Sequence, residues 1–431
     1  MKPYPSYKDS GVEWIGKIPS DWKVTKHKYN LEILSGFPFN SKLFSNKKGF
    51  PLIRIRDITS GSLNTFYEGD YSDKYIVKKG DLLIGMDGDF NVRWWEGDLG
   101  LLNQRCCSIK ESSTLNRKWL FYLLPNELKI INDLTYFTTV KHLSNNDIYD
   151  SKTILPIKET QTQIVSFLDN KTQKIDQLID LTEKKIKLLK EQRTSLINHC
   201  ITKGLNPNVE MKDSGIEWIG KIPSHWYRTK ISRFCEVKDG THDTPKFLDP
   251  NERTIPLVTS NSFINGEIDF TKSKHISIED YTEINKRSDV QINDIIMSMI
   301  GSNIGNRVLV KTDSPFSIKN VCLFKTSKSV GLVPKYLLHL IDSKYLLYQV
   351  DFNQKGGGQP FLSLNELRNL IFPFPPENEQ NQIVEHLDKL TQKVDTTIEI
   401  ESQRIDLLKE YRQSLISEVV TGKIDVRDWK E

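Results

Sequence analysis

The sequence predicts an α+β fold of two strand-rich domains joined by two long antiparallel helices, an internal pseudo-twofold repeat closed by a coiled coil. Three observations predict it. The stretch KDSGVEWIGKIPSDW, Lys8 to Trp22, returns as KDSGIEWIGKIPSHW, Lys212 to Trp226, changed only at Val12 (Ile216) and Asp21 (His225). The displacement is 204 residues (212 − 8) in a chain of 431. A repeat of that length means a whole domain written twice rather than a solenoid. After each lead-in comes strand-like patterning, and after that a long apolar stripe at helical spacing.

In the first copy, residues 23 to about 150 alternate short apolar runs with turn residues. Pro51-Leu-Ile-Arg-Ile-Arg-Asp-Ile58 alternates at period two before Ser60-Gly61, as a half-buried strand does. Gly80-Asp81 leads into the short apolar run Leu82-Leu83-Ile84, which reads as a buried strand. Residues 118–131 (KWLFYLLPNELKII) read as helix around a break at Pro125.

From about Pro156 the period changes. Ile164, Leu168, Ile175, Leu178, Ile186, Leu189 and Leu196 form one stripe, with neither glycine nor proline before Gly204. A helix of roughly 40 residues is about 60 Å long, too long for one ordinary domain to bury, so the stripe wants a partner helix. After Pro373-Phe-Pro-Pro376 the second copy repeats it with Ile383, Leu387, Leu390, Val394, Ile405, Leu408 and Leu415. Gln163-Ile-Val matches Gln382-Ile-Val, and Leu188-Leu-Lys-Glu matches Leu407-Leu-Lys-Glu, both 219 residues on (382 − 163). Each helix is therefore expected to pair with the other through Ile164, Leu168, Ile175 and Leu189 against Ile383, Leu387, Val394 and Leu408. A twofold axis across the pair makes them antiparallel, with the globular domains at opposite ends of a rod. The expected divisions are 1–155, 156–206, 207–373 and 374–431.

Composition narrows the class. Charged residues make up 27% and the net charge is only +4, so no global basic field points to nucleic acid or excludes it. The first residues, MKPYPSYKDSG, lack the apolar core of a secretory signal, and no run of about 18 apolar residues could span a membrane. Five cysteines without a CxxC pair suggest neither a disulfide framework nor zinc, so the expectation is a reduced, cytoplasmic protein. No G-x-x-x-x-G-K-[ST], H-E-x-x-H, G-x-S-x-G or complete dinucleotide fingerprint occurs, and the chain is expected to catalyse nothing and to bind no metal.

The two copies can be compared with each other. Pro51-Leu-Ile-Arg-Ile-Arg runs beside Pro256-Leu-Val-Thr-Ser-Asn, so Arg54 and Arg56 face Thr259 and Asn261. Leu102-Asn-Gln-Arg-Cys runs beside Ile318-Lys-Asn-Val-Cys, and SGFPFN around Gly36 beside DGTHDT around Gly240. Apolar positions and glycines persist while polar side chains diverge, as expected of two readers with one scaffold and different targets. The divergent residues suit DNA: Arg pairs with guanine, Asn and Gln with adenine, and Thr or Phe can meet the thymine methyl. The candidates are Arg54, Arg56, Arg93, Gln104, Arg105 and Lys141 in the first copy. In the second they are His242, Thr259, Asn261, Asn303, Lys319, Asn320 and Gln359. Surface drift is the competing explanation for loops that vary. Leu143-Ser-Asn-Asn-Asp147 and Leu362-Ser-Leu-Asn-Glu366 carry the Ser-x-x-acid signature of a helix start, where capping and phosphate binding compete as explanations. Trp94-Trp95 could stack on DNA but read more simply as core.

The E-W-I-G-K-I-P-S-x-W lead-in, the Q-I-V-x-x-L-D helix starts and L-L-K-E with a terminal S-L-I resemble the specificity subunit of type I restriction–modification enzymes, across essentially the whole chain. The resemblance implies two target-recognition domains, here about 23–155 and 227–373, each reading half of a bipartite asymmetric double-stranded DNA target. Gln163–Cys200 and Gln382–Val420 match the family's conserved helices, which form an antiparallel coiled coil and dock two methyltransferase subunits, with restriction subunits joining them. S-adenosylmethionine, ATP and magnesium would belong to those partners, with no cofactor on this chain. The rival readings are a regulator binding two half-sites and a coiled-coil scaffold without DNA.

Overall fold

The computed structural model describes residues 2–110, 112–135, 141–264, 266–353 and 361–430. It divides into two compact units, Met1–Thr182 with Gln403–Glu431, and Glu183–Ser402. Each unit holds one lead-in, one strand-rich domain, and one end of each long helix.

The repeated lead-in is a small clasp. Tyr7–Asp9 pairs antiparallel with Lys17–Pro19, and Met211–Asp213 with Lys221–Pro223 in the same register. The turn is pinned by the Asp9 carboxylate accepting from the Gly11 amide at 2.8 Å, and by Asp213 accepting from Gly215 at 2.8 Å. Ile18, Trp22, Ile222 and Trp226 are all buried, which gives the motif a packing reason to be kept twice.

Each strand-rich domain repeats one four-stranded antiparallel sheet. In the first, the order is Val92–Trp94, Leu82–Gly85, Cys106–Ile109, Ile33–Ser35; in the second it is Arg307–Leu309, Ile295–Ser298, Val321–Phe324, Val237–Asp239. Leu82, Leu83 and Ile84 are fully buried, as their unbroken apolar run implies. Beside this sheet Phe50–Ile53 runs parallel to Gly100–Leu102, and Thr254–Val258 parallel to Ser317–Ile318. Lys23–Lys26 with Lys152–Leu155, and Tyr227–Lys230 with Ile371–Phe374, close the two domains.

Three local expectations are corrected. The strand from Pro51 stops at Ile53, and Ile55–Ser60 is a helix. The Asp57 carboxylate accepts from the Arg54 amide at 2.8 Å, and Gly61 ends the helix in the left-handed region, so capping defeats the period-two pattern. Pro125 does not break its helix, which runs Arg117–Thr135 with Trp119, Leu120, Leu123, Leu124 and Leu128 buried around the proline. The break falls in the second copy, between Pro334–Ile341 and Lys344–Asn353, where the Asn198 side chain caps the Lys344 amide at 3.0 Å. Finally, Cys107 rather than Cys106 is the counterpart of Cys322. Cys107 lies opposite Ile84 and Cys322 opposite Met297, because the preceding turn has one residue more in the first copy. The five cysteines are buried free thiols.

The long helices are Lys158–Lys203, 46 residues, and Glu377–Val420, 44 residues. They run antiparallel. In the first unit Arg412 Nε meets Asp176 at 2.8 Å; in the second Arg193 Nε meets Asp395 at 2.9 Å and Lys185 meets Glu401 at 2.5 Å. Ile164 and Leu168 are fully buried in the first domain's core beside Trp119, together with Leu415, Ile416, Val419 and Val420 from the far end of the other helix. Ile383 and Leu387 are buried in the second with Ile197, Cys200 and Ile201. These four expected seam residues are therefore domain core as much as helix seam. Ile175 is buried, while Leu189, Val394 and Leu408 are half-buried. The turns past Val420 fold back on the lead-in. The Asp425 amide donates to Lys2 O at 2.9 Å, and Arg427 lies 4.6 Å from the Tyr4 ring centroid. Among the described residues no helix is long and apolar enough to cross a membrane.

The junction between each domain and its helix is also written twice. Lys118 and Tyr122 both reach Asp169, each at 2.7 Å; Lys335 and His339 reach Asp388 at 2.5 and 2.9 Å. His339 holds the Asp388 carboxyl down at about 2, with burial opposing and Lys335 adding to the effect. A depressed carboxyl stabilises the fold above its ordinary value, and that contribution is lost as pH falls from about 4 towards 2. Asp388→Asn should therefore melt earlier than the parent at pH 6, with the gap closing between pH 4 and 2 in thermal melts. Leu387→Ala should cost about 2–5 kcal/mol, read as a lower denaturant midpoint for the second unit.

Candidate nucleic-acid interface

Divergent residues from distant parts of the sequence meet at one equivalent place in each unit. In the first unit this is the turn Asn103–Arg105 between two strands, laid against the loop after Ser35. The Gly36 amide donates to Cys106 O and the Phe37 amide to Leu102 O, both at 2.9 Å. A Cβ on Gly36 would lie 2.0 Å from Asn103 O, so only glycine lets the loop approach the turn. Gln104 and Arg105 are exposed on this tip. Arg105 reaches Asp87 at 3.3 Å, and the same carboxylate oxygen takes His142 Nδ1 at 2.7 Å. Lys141, next to His142, donates to Asn132 O at 3.3 Å and accepts through its own carbonyl from Gly88.

The second unit repeats the plan with other side chains. The Gly240 amide donates to Val321 O at 3.2 Å and Thr241 to Ile318 O at 3.0 Å. A Cβ on Gly240 would lie 2.1 Å from Ile318 O. His242 is bracketed by Asp239 at Nε2, 2.9 Å, and by Asn320 at Nδ1, 3.2 Å. Lys319 donates to Asp243 O at 3.0 Å and to the Thr244 hydroxyl. Asn320 sits at φ +56°, a conformation asparagine tolerates better than most residues and one that suits a two-residue turn. His242, Lys319 and Asn320, 78 residues apart at the extremes, are thus one cluster.

The remaining candidates lie elsewhere. Arg54, Arg56 and Arg93 gather about the helix Ile55–Ser60. Arg54 lies 5.9 Å from the Phe44 ring centroid, Arg56 donates to Thr65 at 2.7 Å, and Arg93 donates to Ile58 O and Thr59 O at 3.4 and 3.2 Å. Arg93 thereby caps the helix's last carbonyls. Thr259, half-buried, precedes the single turn Ser260–Ser262 that carries exposed Asn261, and Asn303 is exposed on the turn Gly301–Asn303. Gln359 lies outside the described residues. Ser144 and Ser363 form full capping boxes with Asp147 and Glu366, whose carboxylates occupy those helix starts. Trp95 is core; Trp94 is half-buried with Lys118 5.6 Å from its ring centroid.

Sequence reasoning missed the residues that hold the tips. Asp239 is nearly buried and pairs with both His242 and Arg287; the Asp-x-x-His spacing in DGTHDT was its signal. Asp87, joined by Arg105 and His142, had none, since the three are far apart in the chain. Burial pushes the Cys106 and Cys235 thiols up to about 12, which keeps them protonated at neutral pH. Among the described residues no group of three or more His, Cys, Asp or Glu side chains is placed to hold a metal ion.

The α+β frame is thus duplicated, and each copy holds a divergent polar tip on a glycine-pinned loop. The model of the type I restriction modification DNA specificity domain matches residues 19–191 and again 223–410, and the chain belongs to that family. Relatives include the EcoBI specificity subunit of Escherichia coli, 28% identical over 98% of this chain and 90% of that one. Another is the MjaVIII specificity subunit of Methanocaldococcus jannaschii, 22% identical over 96% and 95%. The fold matches a chain solved in work on complex assembly and conformational transition of the type I R-M system, with a TM-score of 0.67, 15% identity, and coverage of 94% and 99%. It also matches the HsdS subunit of Thermoanaerobacter tengcongensis, with a TM-score of 0.50, 15% identity, and coverage of 94% and 98%.

Proposed function

We propose that this chain is the DNA-specificity subunit of a type I restriction–modification complex, a non-catalytic reader of a bipartite, asymmetric double-stranded target. The observation that carries the reading is the pair of equivalent tips: Gln104 and Arg105 on one, His242, Lys319 and Asn320 on the other, each on a central four-stranded sheet that both copies retain. A palindrome reader needs identical tips, whereas unlike tips suit unlike half-targets. Base-edge contacts specify, while phosphate contacts supply most of the affinity and weaken with salt. S-adenosylmethionine, ATP and magnesium belong, in this reading, to methyltransferase and restriction subunits that the chain positions.

The long helices supply the docking surface. Leu181, Leu188, Ile400 and Leu407 are 61%, 64%, 58% and 65% exposed, although both copies keep them apolar at matching positions seven residues apart. Each unit carries one from each helix, so one kind of subunit can dock twice. Leu188→Asp with Leu407→Asp should leave the melting temperature within a degree or two and cut co-purification of the methyltransferase at least tenfold. Methylation mapping in cells expressing the chain with its methyltransferase should give a bipartite motif. Exchanging residues 23–155 for those of another family member should change one half alone; a change in both halves, or no motif, would sink the proposal.

A further inference from the structure

Resting on that DNA-reading role, we infer that Phe37 and Thr241 are equivalent specificity-determining residues, each touching the 5-methyl group of a thymine in its own half-target. The two residues occupy one structural position. Each follows the glycine that pins its loop, and each donates its amide to the last residue of the strand before the tip turn, Leu102 or Ile318. Each also bridges to the first residue of that turn, Asn103 or Lys319. The backbone is fixed there in both copies, so only the side chain is free to vary.

What varies is informative. Phe37 is 42% exposed although apolar, and its ring is held between Phe39 and Tyr75, each with centroid 5.1 Å away. It is a rigid apolar edge beside exposed Gln104 and Arg105. Thr241 is half-buried and ties its hydroxyl into its own loop, where it accepts from the Asp243 amide at 3.2 Å, so its methyl is the part of the side chain not engaged by that hydrogen bond. Phe and Thr share little except an apolar surface suited to a thymine methyl, the one apolar feature in the major-groove code. A lone exposed phenylalanine needs no explanation. An apolar contact group retained at one pinned position beside two polar tips, by two different residues, does.

The test uses the chain complexed with its methyltransferase, on duplexes carrying the mapped target with one thymine at a time replaced by uracil, which removes the methyl alone. One position in each half should weaken binding about fourfold, the worth of one buried methyl. Phe37→Asn should abolish the first-half penalty only and Thr241→Ser the second-half penalty only. Phe37→Leu and Thr241→Val should keep them. Independently of any variant, 5-iodouracil at the sensitive first-half position should crosslink on irradiation to the peptide containing Phe37. Penalties that persist in Phe37→Asn and Thr241→Ser, a target whose halves are indifferent to uracil or lack thymine, or a crosslink to another segment would overturn the inference while leaving the specificity role intact. A complex that recognises no bipartite motif would overturn that role as well.

Discussion

The larger core of each recognition domain is shared with the long helices, whereas smaller clusters, around Ile53 and Leu102 in the first and Val258 and Leu323 in the second, belong to the domain alone. The first is completed by Ile164 and Leu168 from the start of one long helix and by Leu415, Ile416, Val419 and Val420 from the end of the other. The second is completed in the same way by Ile383 and Leu387 with Ile197, Cys200 and Ile201. Burying a large aliphatic side chain is worth about 1.5–3 kcal/mol, so these few residues are a large part of the margin by which a domain of this size is stable. The antiparallel arrangement follows, since only opposed helices bring a start and an end to the same core. The paired ions Arg412–Asp176 and Arg193–Asp395 then fix register more than they add stability, being partly exposed.

That shared core explains which parts of the two copies are held and which are free. Trp22, Trp226 and the helix residues of the shared core lie under the same burial constraint and match, and the partly exposed Lys–Asp junctions beside them match as well. Asp81 and Asp294 each cap the loop before a central strand, accepting from the Lys78 and Gln291 amides at 2.8 and 2.9 Å. Their charge partners differ: Arg117 for Asp81, and fully buried Lys325 for Asp294. Away from the core the tips are pinned by glycine-dependent backbone contacts, and the Asp87 and Asp239 carboxylates tether the side chains around them. There glycine is compulsory and the neighbouring side chains differ between the copies, the separation of roles that recognition needs.

Much of this was legible in the sequence. Near-identity of Lys8 to Trp22 with Lys212 to Trp226 exposed the duplication, and an uninterrupted stripe exposed the helices, because both signals are local and long. For Arg54 to Ile58 periodicity cannot choose, because Ile55 and Ile58 satisfy a helical spacing as well as Ile53 and Ile55 satisfy a strand; the deciding contact is Asp57 with the Arg54 amide. Pro125 misled because burial on all sides outweighs one lost hydrogen bond, whereas the actual break in the second copy is licensed by Asn198, far away in sequence. The tips were visible only as places of divergence. That His242 meets Asn320, or that Cys107 rather than Cys106 matches Cys322, depends on hairpin length, which no periodicity records.

The closing of the first unit by Gln403–Glu431 has a consequence in time. A ribosome makes those residues more than 220 positions after Thr182, whereas every segment of the second unit, Glu183–Ser402, is contiguous. The copy written first is thus the last able to finish. While translation proceeds, the surface around Ile164, Leu168 and Trp22 waits for its cover, and a nascent chain stalled before Leu415 carries one complete reader and one sticky, unfinished one.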